Sequence, residues 1–417
     1  MGIIDFSDLD LKRGSLADAD MLVGNNALNG ISDPHLVLSE AVDLEDNLSR
    51  LEGTLGKTGC IGLVLNDRNR PTPTALILDH IRETHPGLME RVKKVHIATG
   101  THQPPTEDDV RAILGPHRSS LKEMVHIHEA TDEKAHGYIC TTERGTDVRI
   151  DRALADQDAL LFINSVEPHY FAGYTGGRKS ILPGMAAYST VEQNHSHALS
   201  PGSRTLGLEG NPVHEDMEDA VGSYLKDREH LSVQVVQGIG KTLTSVHTGD
   251  MFSSFREAVK AANAQFCIPV KGTYDIVVSV AKPPMDRTLY QAQKALENGK
   301  LALRDGGVII LVAGCPEGIG QSTFWDLITS SPERESTLRK ISEGYVLGYH
   351  KAAKLVQLSQ RAHIHAVSGI AKDILKKGFI TGFNDLGSAM TSAMKIVGQG
   401  SRVLVIPDGT MTVPMVG

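Results

Sequence analysis

The chain has 417 residues, two-fifths of them apolar, and a formal net charge of −8. That length allows two or three domains with large cores, and the mildly acidic balance argues against a nucleic-acid scaffold. No apolar run approaches the ~20 residues needed to span a bilayer.

The amino terminus, MGIIDFSDLDLKRGSLADAD, is too acidic and too little apolar for a signal peptide, and Ile3-Ile4-Asp5-Phe6 does not lead to the serine or threonine expected of a myristoylated Gly2. Cys60, Cys140, Cys267 and Cys315 are scattered without a C-x-x-C pair, so neither a zinc knuckle nor a disulfide framework is implied. A cytoplasmic location is expected. Residues 1 to 58 read as irregular, with ISDP and EGTLGKTG as turn punctuation.

The first clear strand is IGLVLN, 61 to 66, running into the turn Asp67 to Pro73 and an amphipathic helix TALILDHIRETH. Strand, polar turn, proline and helix make a βα unit. VHIAT, 95 to 99, begins a second unit, with the turn Gly100 to Pro105 and a helix around DDVRAIL. A third strand, ALLFINS at 159 to 165, fits a fully covered parallel strand. In each unit the functional-looking residues come just after the strand, where open α/β sheets bind ligands, so one shared cleft is expected. Asp67 suits either an Asx turn or the site, Arg70 either a surface cap or a bidentate carboxylate clamp, and His102 sits in a loop restrained by Gln103-Pro104-Pro105.

The stretch from Asn164 to His197 is the densest. GYTGGRKS, Gly173 to Ser180, nearly spells a phosphate loop, but Arg178 stands where that motif needs glycine to curl around a phosphate. An anion can still be received by Arg178, Lys179 and backbone N–H groups. The following helix is predicted to start near Ser189, which has capping-box spacing to Glu192. His169 lies in the loop; His195 and His197, two apart on the helix, point to different faces and do not grip one metal together.

After residue 268 the pattern restarts. Strand YDIVVSV, 274 to 280, leads to a polar turn and a helix LYQAQKALENGKLAL, on which Tyr290, Gln291 and Lys294 border one side of the first turns. Strands GGVIILVA, IHAVSG and RVLVIPD complete a second α/β domain, and His350, in GYHKAAK, reads as an exposed helix residue. The reading is therefore an α/β protein of two domains, 1–268 and 269–417, with largely parallel sheets and an active-site cleft between them.

Five segments carry a resemblance that covers most of the chain: D-x-x-R-P at Asp67 to Pro71, A-T-G-T-H at Ala98 to His102, E-P-H-x-F-A-G-x-x-G-G-R-K-S at Glu167 to Ser180, N-H-S at Asn194 to Ser196, and Y-Q-A-x-K at Tyr290 to Lys294. Together they resemble the nickel-dependent lactate racemase family. The resemblance implies a nickel-pincer nucleotide, a pyridinium mononucleotide whose sulfur substituents hold nickel. It matches Lys179 to the covalent attachment point, His195 to the protein's nickel ligand, and His102 and His169 to the acid/base pair. Arg70, Gln291 and Lys294 match substrate-orienting positions. Asp67, Gly176, Gly177, Arg178, Ser180 and Tyr290 line the cofactor region, and His197 has no counterpart role.

That cofactor would let the C2 hydrogen of a 2-hydroxy acid, too weakly acidic for histidine, leave as hydride while a histidine takes the hydroxyl proton. Cofactor-maturation enzymes are implied as partners, with no nucleic acid and no membrane. The sequence departs from the family at Ala281 to Arg287, where a glycine-rich approach is usual, and at Asn69, where threonine is more common; Lys282 or Arg287 could suit a second carboxylate or a polyhydroxy chain. The implied activity is a 2-hydroxy acid racemase or epimerase acting on a lactate-like, malate-like or sugar acid. Two other classes compete: a zinc-dependent hydrolase using His102, His169 and His195 as ligands, and a non-catalytic metal or nucleotide binder.

Overall fold

The computed structural model describes residues 19–22, 33–41, 43–56, 58–238, 241–330 and 333–417. The chain divides into two compact units, one formed within 26–265 and the other from 266–417 together with residues of the amino-terminal stretch.

The first unit is built on a six-stranded sheet. Edge to edge it runs Leu243–Gly249, Glu229–Gln237, Ala159–Ser165, Ile61–Asn66, Val92–Ala98 and Val125–Ile127. Only the Leu243–Gly249 edge is antiparallel. Every residue of Ala159–Ser165 is buried, as a continuous apolar run covered on both faces requires. The order places a switch point between Ile61–Asn66 and Ala159–Ser165: the chain leaves the first strand in one direction and returns to pair on its other side.

Helices cover the sheet for readable reasons. Thr74–Thr84 buries Thr74, Ile77, Leu78 and Ile81, one helical stripe, and Glu107–Leu114 starts on a reciprocal Thr106–Asp109 capping box. The reading of 1 to 58 as irregular is corrected over its described part. Asp33 caps a helix at Pro34–Ser39, with Pro34 at its first position, and Leu44–Leu55 is a helix burying Leu44, Leu48, Leu51 and Leu55. Of the apparent punctuation, Asp33-Pro34 starts a helix and Gly56 ends one, while Glu52 to Leu55 lie inside the helix. Of the residues read for targeting signals, 1–18 lie outside the described ones.

His136–Thr141 and Asp147–Asp151 form an antiparallel hairpin with His136 opposite Asp151. Among the described residues, no helix is long and apolar enough to cross a membrane.

The second unit has an all-parallel sheet in the order Asp20–Met21, Val403–Ile406, Tyr274–Val280, Leu303–Val312, His363–Val367 and Ile380–Phe383. Alternate residues Ile276, Val278, Val280, Val308, Ile310 and Val312 enter one core. Asp20–Met21 pairs with Leu404–Val405, so this piece of the amino-terminal stretch lies in the second unit, whereas the division at 268/269 put it in the first.

Candidate active site

Asn66 ends the strand at the switch point, and its Nδ2 donates to Thr72 Oγ1 (2.8 Å) and Ser165 Oγ (3.5 Å), tying the two adjoining turns together. Asp67 follows and is 3% exposed. Its carboxylate accepts from the Asn69 backbone N–H (3.1 Å) and Nδ2 (2.8 Å), and Oδ2 also accepts from His102 Nδ1 at 2.7 Å. Burial alone would raise this carboxyl, but the hydrogen bond and charge of His102, with Asn69 and Arg70, outweigh it and hold it below the ordinary carboxylate range. A carboxylate accepts only, so Nδ1 of His102 carries the hydrogen and Nε2 is the basic nitrogen. The His102 side chain is 47% exposed, positioned to meet a small molecule. Arg70, half-buried, donates through Nη1 to Asn69 O (2.9 Å).

His169 has the opposite arrangement. It lies in a two-residue ribbon, Pro168–His169 against Gly173–Tyr174, and its Nδ1 accepts the Ala172 backbone N–H at 3.2 Å. In neutral His169 the hydrogen is therefore on Nε2. Its ring stands 4.5 Å from that of Phe171, which is 5.1 Å from His195 and has Lys179 Nζ over it at 5.6 Å. Three of the four residues expected to carry the chemistry thus surround one buried phenyl ring. The fourth is joined through its turn: the Gly100 N–H donates to Gly184 O (3.0 Å), just beyond Lys179.

The glycine-rich loop holds its shape by positive φ at Gly176 (77°) and Gly177 (52°). A Cβ on Gly177 would stand 2.9 Å from the Phe255 ring. The Gly177 N–H is taken by Asn164 Oδ1 and Gln234 Oε1, both at 3.0 Å, and Ser180 Oγ accepts from Asn164 Nδ2 (3.0 Å). Arg178 corrects the expectation that it receives an anion. It is 1% exposed, its guanidinium donates to Ala172 O (2.7 Å) and Gly176 O (3.4 Å), and it packs on Phe255 at 4.4 Å. Burial pushes its pKa down to about 9. A side chain bonded to its own loop's carbonyls sets the loop's shape; Gly177 and Arg178 are not a phosphate cradle.

His195 lies in the helix Tyr188–Ser196. The capping box predicted at Ser189 and Glu192 does not form. The helix begins at Tyr188 after Ala187, and the Glu133 carboxylate accepts from the Ser189 N–H (3.2 Å) and Oγ (3.1 Å) instead. Burial, with the charges of Lys179 and His102, pushes His195 down to about 3, so it is a neutral imidazole at pH 7. Asn194 sets its tautomer. The Asn194 Nδ2 donates to Asp216 Oδ2 (2.8 Å) and Val213 O (3.2 Å), which turns Oδ1 toward His195 Nδ1 at 3.1 Å. Asp216, fully buried, is held in turn by Thr142 and Thr146 hydroxyls. The His195 lone pair is thereby on Nε2, the state a metal requires.

Thr288 caps the helix Leu289–Gly299 by accepting the Gln291 N–H, and Lys351 Nζ donates to Tyr290 O (2.5 Å) while lying 4.1 Å over the Tyr290 ring. Tyr290, Gln291 and Lys294 are half-buried. Arg287 pairs with Glu317, Lys282 is exposed, and His350, expected at the surface, is 3% exposed with Nδ1 2.6 Å from the Tyr345 hydroxyl. His197 is half-buried in the turn after His195.

The donor atoms of His102, His169 and His195 do not group as metal ligands; among the described residues such a group occurs at His128, His136 and Asp151. This removes the ligand set of a zinc hydrolase at the switch point. Sequence reasoning missed Phe171 and Asn194, both present in the motifs but given no role, and Asp216, which carried no local signal.

Known proteins resemble the chain along most of its length. The family model described as "Lactate racemase N-terminal domain" matches residues 13–206, and "Lactate racemase C-terminal domain" matches 270–413. The lactate racemase of Thermoanaerobacterium thermosaccharolyticum is 28% identical over 390 residues, covering 90% of this chain and 89% of that protein. The lactate racemase of Lactiplantibacillus plantarum is 28% identical over 401 residues, covering 90% and 91%. The solved lactate racemase apoprotein from T. thermosaccharolyticum superposes with a TM-score of 0.81 at 27% identity, covering 89% of this chain and 92% of that one. A Thermotoga maritima protein shares the fold, with a TM-score of 0.69 at 17% identity and 89% and 97% coverage. With both halves of its length matched in order, the chain belongs to the lactate racemase family and is an isomerase of the racemase type.

Proposed function

We propose that the protein inverts C2 of a 2-hydroxy acid, lactate or a close relative, by reversible removal of the C2 hydrogen as hydride. The observation that carries this is the pairing of opposite tautomers. His102 presents a basic Nε2, fixed by Asp67, and His169 presents Nε2–H, fixed by the Ala172 N–H. A racemase needs one group that takes the hydroxyl proton and another that returns one, and the two exchange roles between directions.

His195 and Lys179 fit a nickel-pincer nucleotide. His195 is a buried neutral imidazole with its lone pair on Nε2, and both it and Lys179 Nζ lie against the Phe171 ring. Lys179 would hold the nucleotide covalently and His195 would complete the nickel's coordination. When bound, that group supplies a reversible hydride acceptor. The protein's own residues supply the rest. His102 takes the hydroxyl proton as a planar 2-keto acid forms, and Asp67 stabilises the resulting imidazolium. His169 delivers a proton to the opposite side once the keto acid has turned. Arg70 holds the carboxylate, a task suited to a guanidinium. For Tyr290, Gln291 and Lys294, the family resemblance supports a role in lining the site and orienting substrate.

The test uses chain purified from a host that makes the cofactor. Peptide mass mapping should find an adduct on Lys179, with nickel in the protein. Chiral separation should show L- and D-lactate interconverting. Substrate deuterated at C2 should keep its label in the product, because hydride returns to the same carbon. An unmodified Lys179 in active protein, or complete loss of the label to water, would overturn the mechanism.

A further inference from the structure

Away from His195, His96, His126, His128 and His136 gather where the His136–Thr141 and Asp147–Asp151 hairpin meets Val92–Ala98 and Val125–Ile127. His128, His136 and Asp151 are 1%, 1% and 4% exposed, and one donor atom from each lies within 4.8 Å of the others. We propose that these three residues form a second metal site, separate from the nickel position, for a first-row divalent cation of the zinc type.

The hydrogen-bond inventory leads there. His136 Nδ1 lies 2.8 Å from Asp132 O, and a carbonyl only accepts, so Nδ1 carries the hydrogen and Nε2 the lone pair. Thr99 Oγ1 contacts both His128 O (2.7 Å) and His128 Nδ1 (3.0 Å). The hydroxyl has one proton, which goes to the carbonyl, so His128 Nδ1 is the donor to Oγ1 and its lone pair is also on Nε2. These two Nε2 atoms face each other at 3.0 Å. With these tautomers the two lone pairs face each other, which a shared cation relieves; the other His128 tautomer would instead donate Nε2–H to His136 Nε2.

The dimensions suit a metal. With metal–nitrogen bonds of about 2.1 Å, tetrahedral imidazole nitrogens stand ~3.4 Å apart, so the pair needs to open by only ~0.4 Å. Asp151 supplies the negative charge. Its Oδ2 lies 2.6 Å from His126 Nε2 and its Oδ1 accepts the Ala153 N–H at 2.9 Å, which hold the carboxylate in place. Each imidazole has a fixed outer partner, and the carboxylate is held by a further histidine, as metal ligands characteristically are. The site would join the hairpin to Thr99, the residue that opens the turn carrying His102. Its role is then to hold that turn in place.

Full-length chain carrying no pincer nucleotide is stripped with chelator and titrated with Co2+, whose visible absorption reports tetrahedral binding. We expect about one equivalent bound at this site in wild type and in His195→Ala, and its loss in His128→Gln and His136→Gln. His126→Gln, which leaves all three ligands in place, should weaken Co2+ binding by about 10–100-fold. It serves as the readout should the ligand variants not fold. Zn2+ should raise the melting temperature of stripped wild-type chain. No uptake with a melting temperature indifferent to chelator would mean that a proton bridges the histidines, and the proposal fails. Uptake abolished by His195→Ala but kept in His136→Gln and undiminished in His126→Gln would also overturn it.

Discussion

Replacing Asp67 with asparagine tests the acid/base assignment most directly. Asp67 Oδ2 accepts from both His102 Nδ1 and Asn69 Nδ2, while Oδ1 accepts the Asn69 N–H. An amide has one oxygen for these three donors. If the oxygen keeps the Asn69 N–H, the NH2 group faces His102 Nδ1, which must then become an acceptor, and the imidazole hydrogen moves to Nε2. His102 then presents a donor to the substrate hydroxyl where a base is needed. The loss is that of a general base, about 10²–10⁴-fold in kcat/KM. Because the two enantiomers have equal free energies, kcat/KM must fall equally in both directions. The assay is interconversion of L- and D-lactate by cofactor-loaded Asp67→Asn, with loading checked by the mass of the Lys179 peptide. A loaded variant within about threefold of wild type, well below the loss expected of a missing base, would show that Asp67 does not set the His102 tautomer.

Three further outcomes follow from other parts of the structure. Asn194→Leu removes the amide that orients His195, so nickel affinity should fall about 10–100-fold by competition with a chelator, while the Lys179 adduct remains detectable by mass. Gly177→Ala puts a methyl group 2.9 Å from Phe255 at a φ of 52°, so it should cost about 2–4 kcal/mol in urea unfolding through clash and left-handed strain together. In the second unit, burial pushes His365 down to about 4 from an unfolded value near 6.5. The unfolded chain therefore binds the extra proton between those values. The contribution of this residue is unaffected above pH 6.5 and declines below it, by about 2 kcal/mol at pH 5. His365→Gln should flatten that part of the acid stability profile, and an unchanged slope would refute the assignment.

The strands were legible because burial on both faces leaves continuous apolar runs: Ala159–Ser165 and Tyr274–Val280 fall where the sequence placed them. The histidines and Lys179 were legible as types clustered after strands. Other features depend on partners distant in sequence. Glu133 caps the helix at Ser189, and Asp216 orients Asn194; neither pairing has a local period. Arg178 shows the reverse difficulty. Beside Lys179 in a glycine-rich loop it reads as an anion ligand, yet desolvation against Phe255 and the Ala172 carbonyl assigns it to the core. Leu44–Leu55 was overlooked because flanking Asp, Gly and Pro were weighed as breakers, although its leucines recur at helical spacing.

Asp20–Met21 completes one edge of the second sheet by pairing with Leu404–Val405. During synthesis that early segment must wait for a partner made hundreds of residues later, whereas the sheet spanning 61–249 finds all its strands within its own stretch of chain. The first unit can therefore settle while translation continues. The second keeps the Val403–Ile406 edge unclosed until the early segment returns, an interval in which exposed backbone N–H and C=O groups could template pairing with another nascent chain. Where a tag is fused before Asp20, it should be judged by refolding yield as well as by activity, since it loads the one strand that must travel back to close that edge.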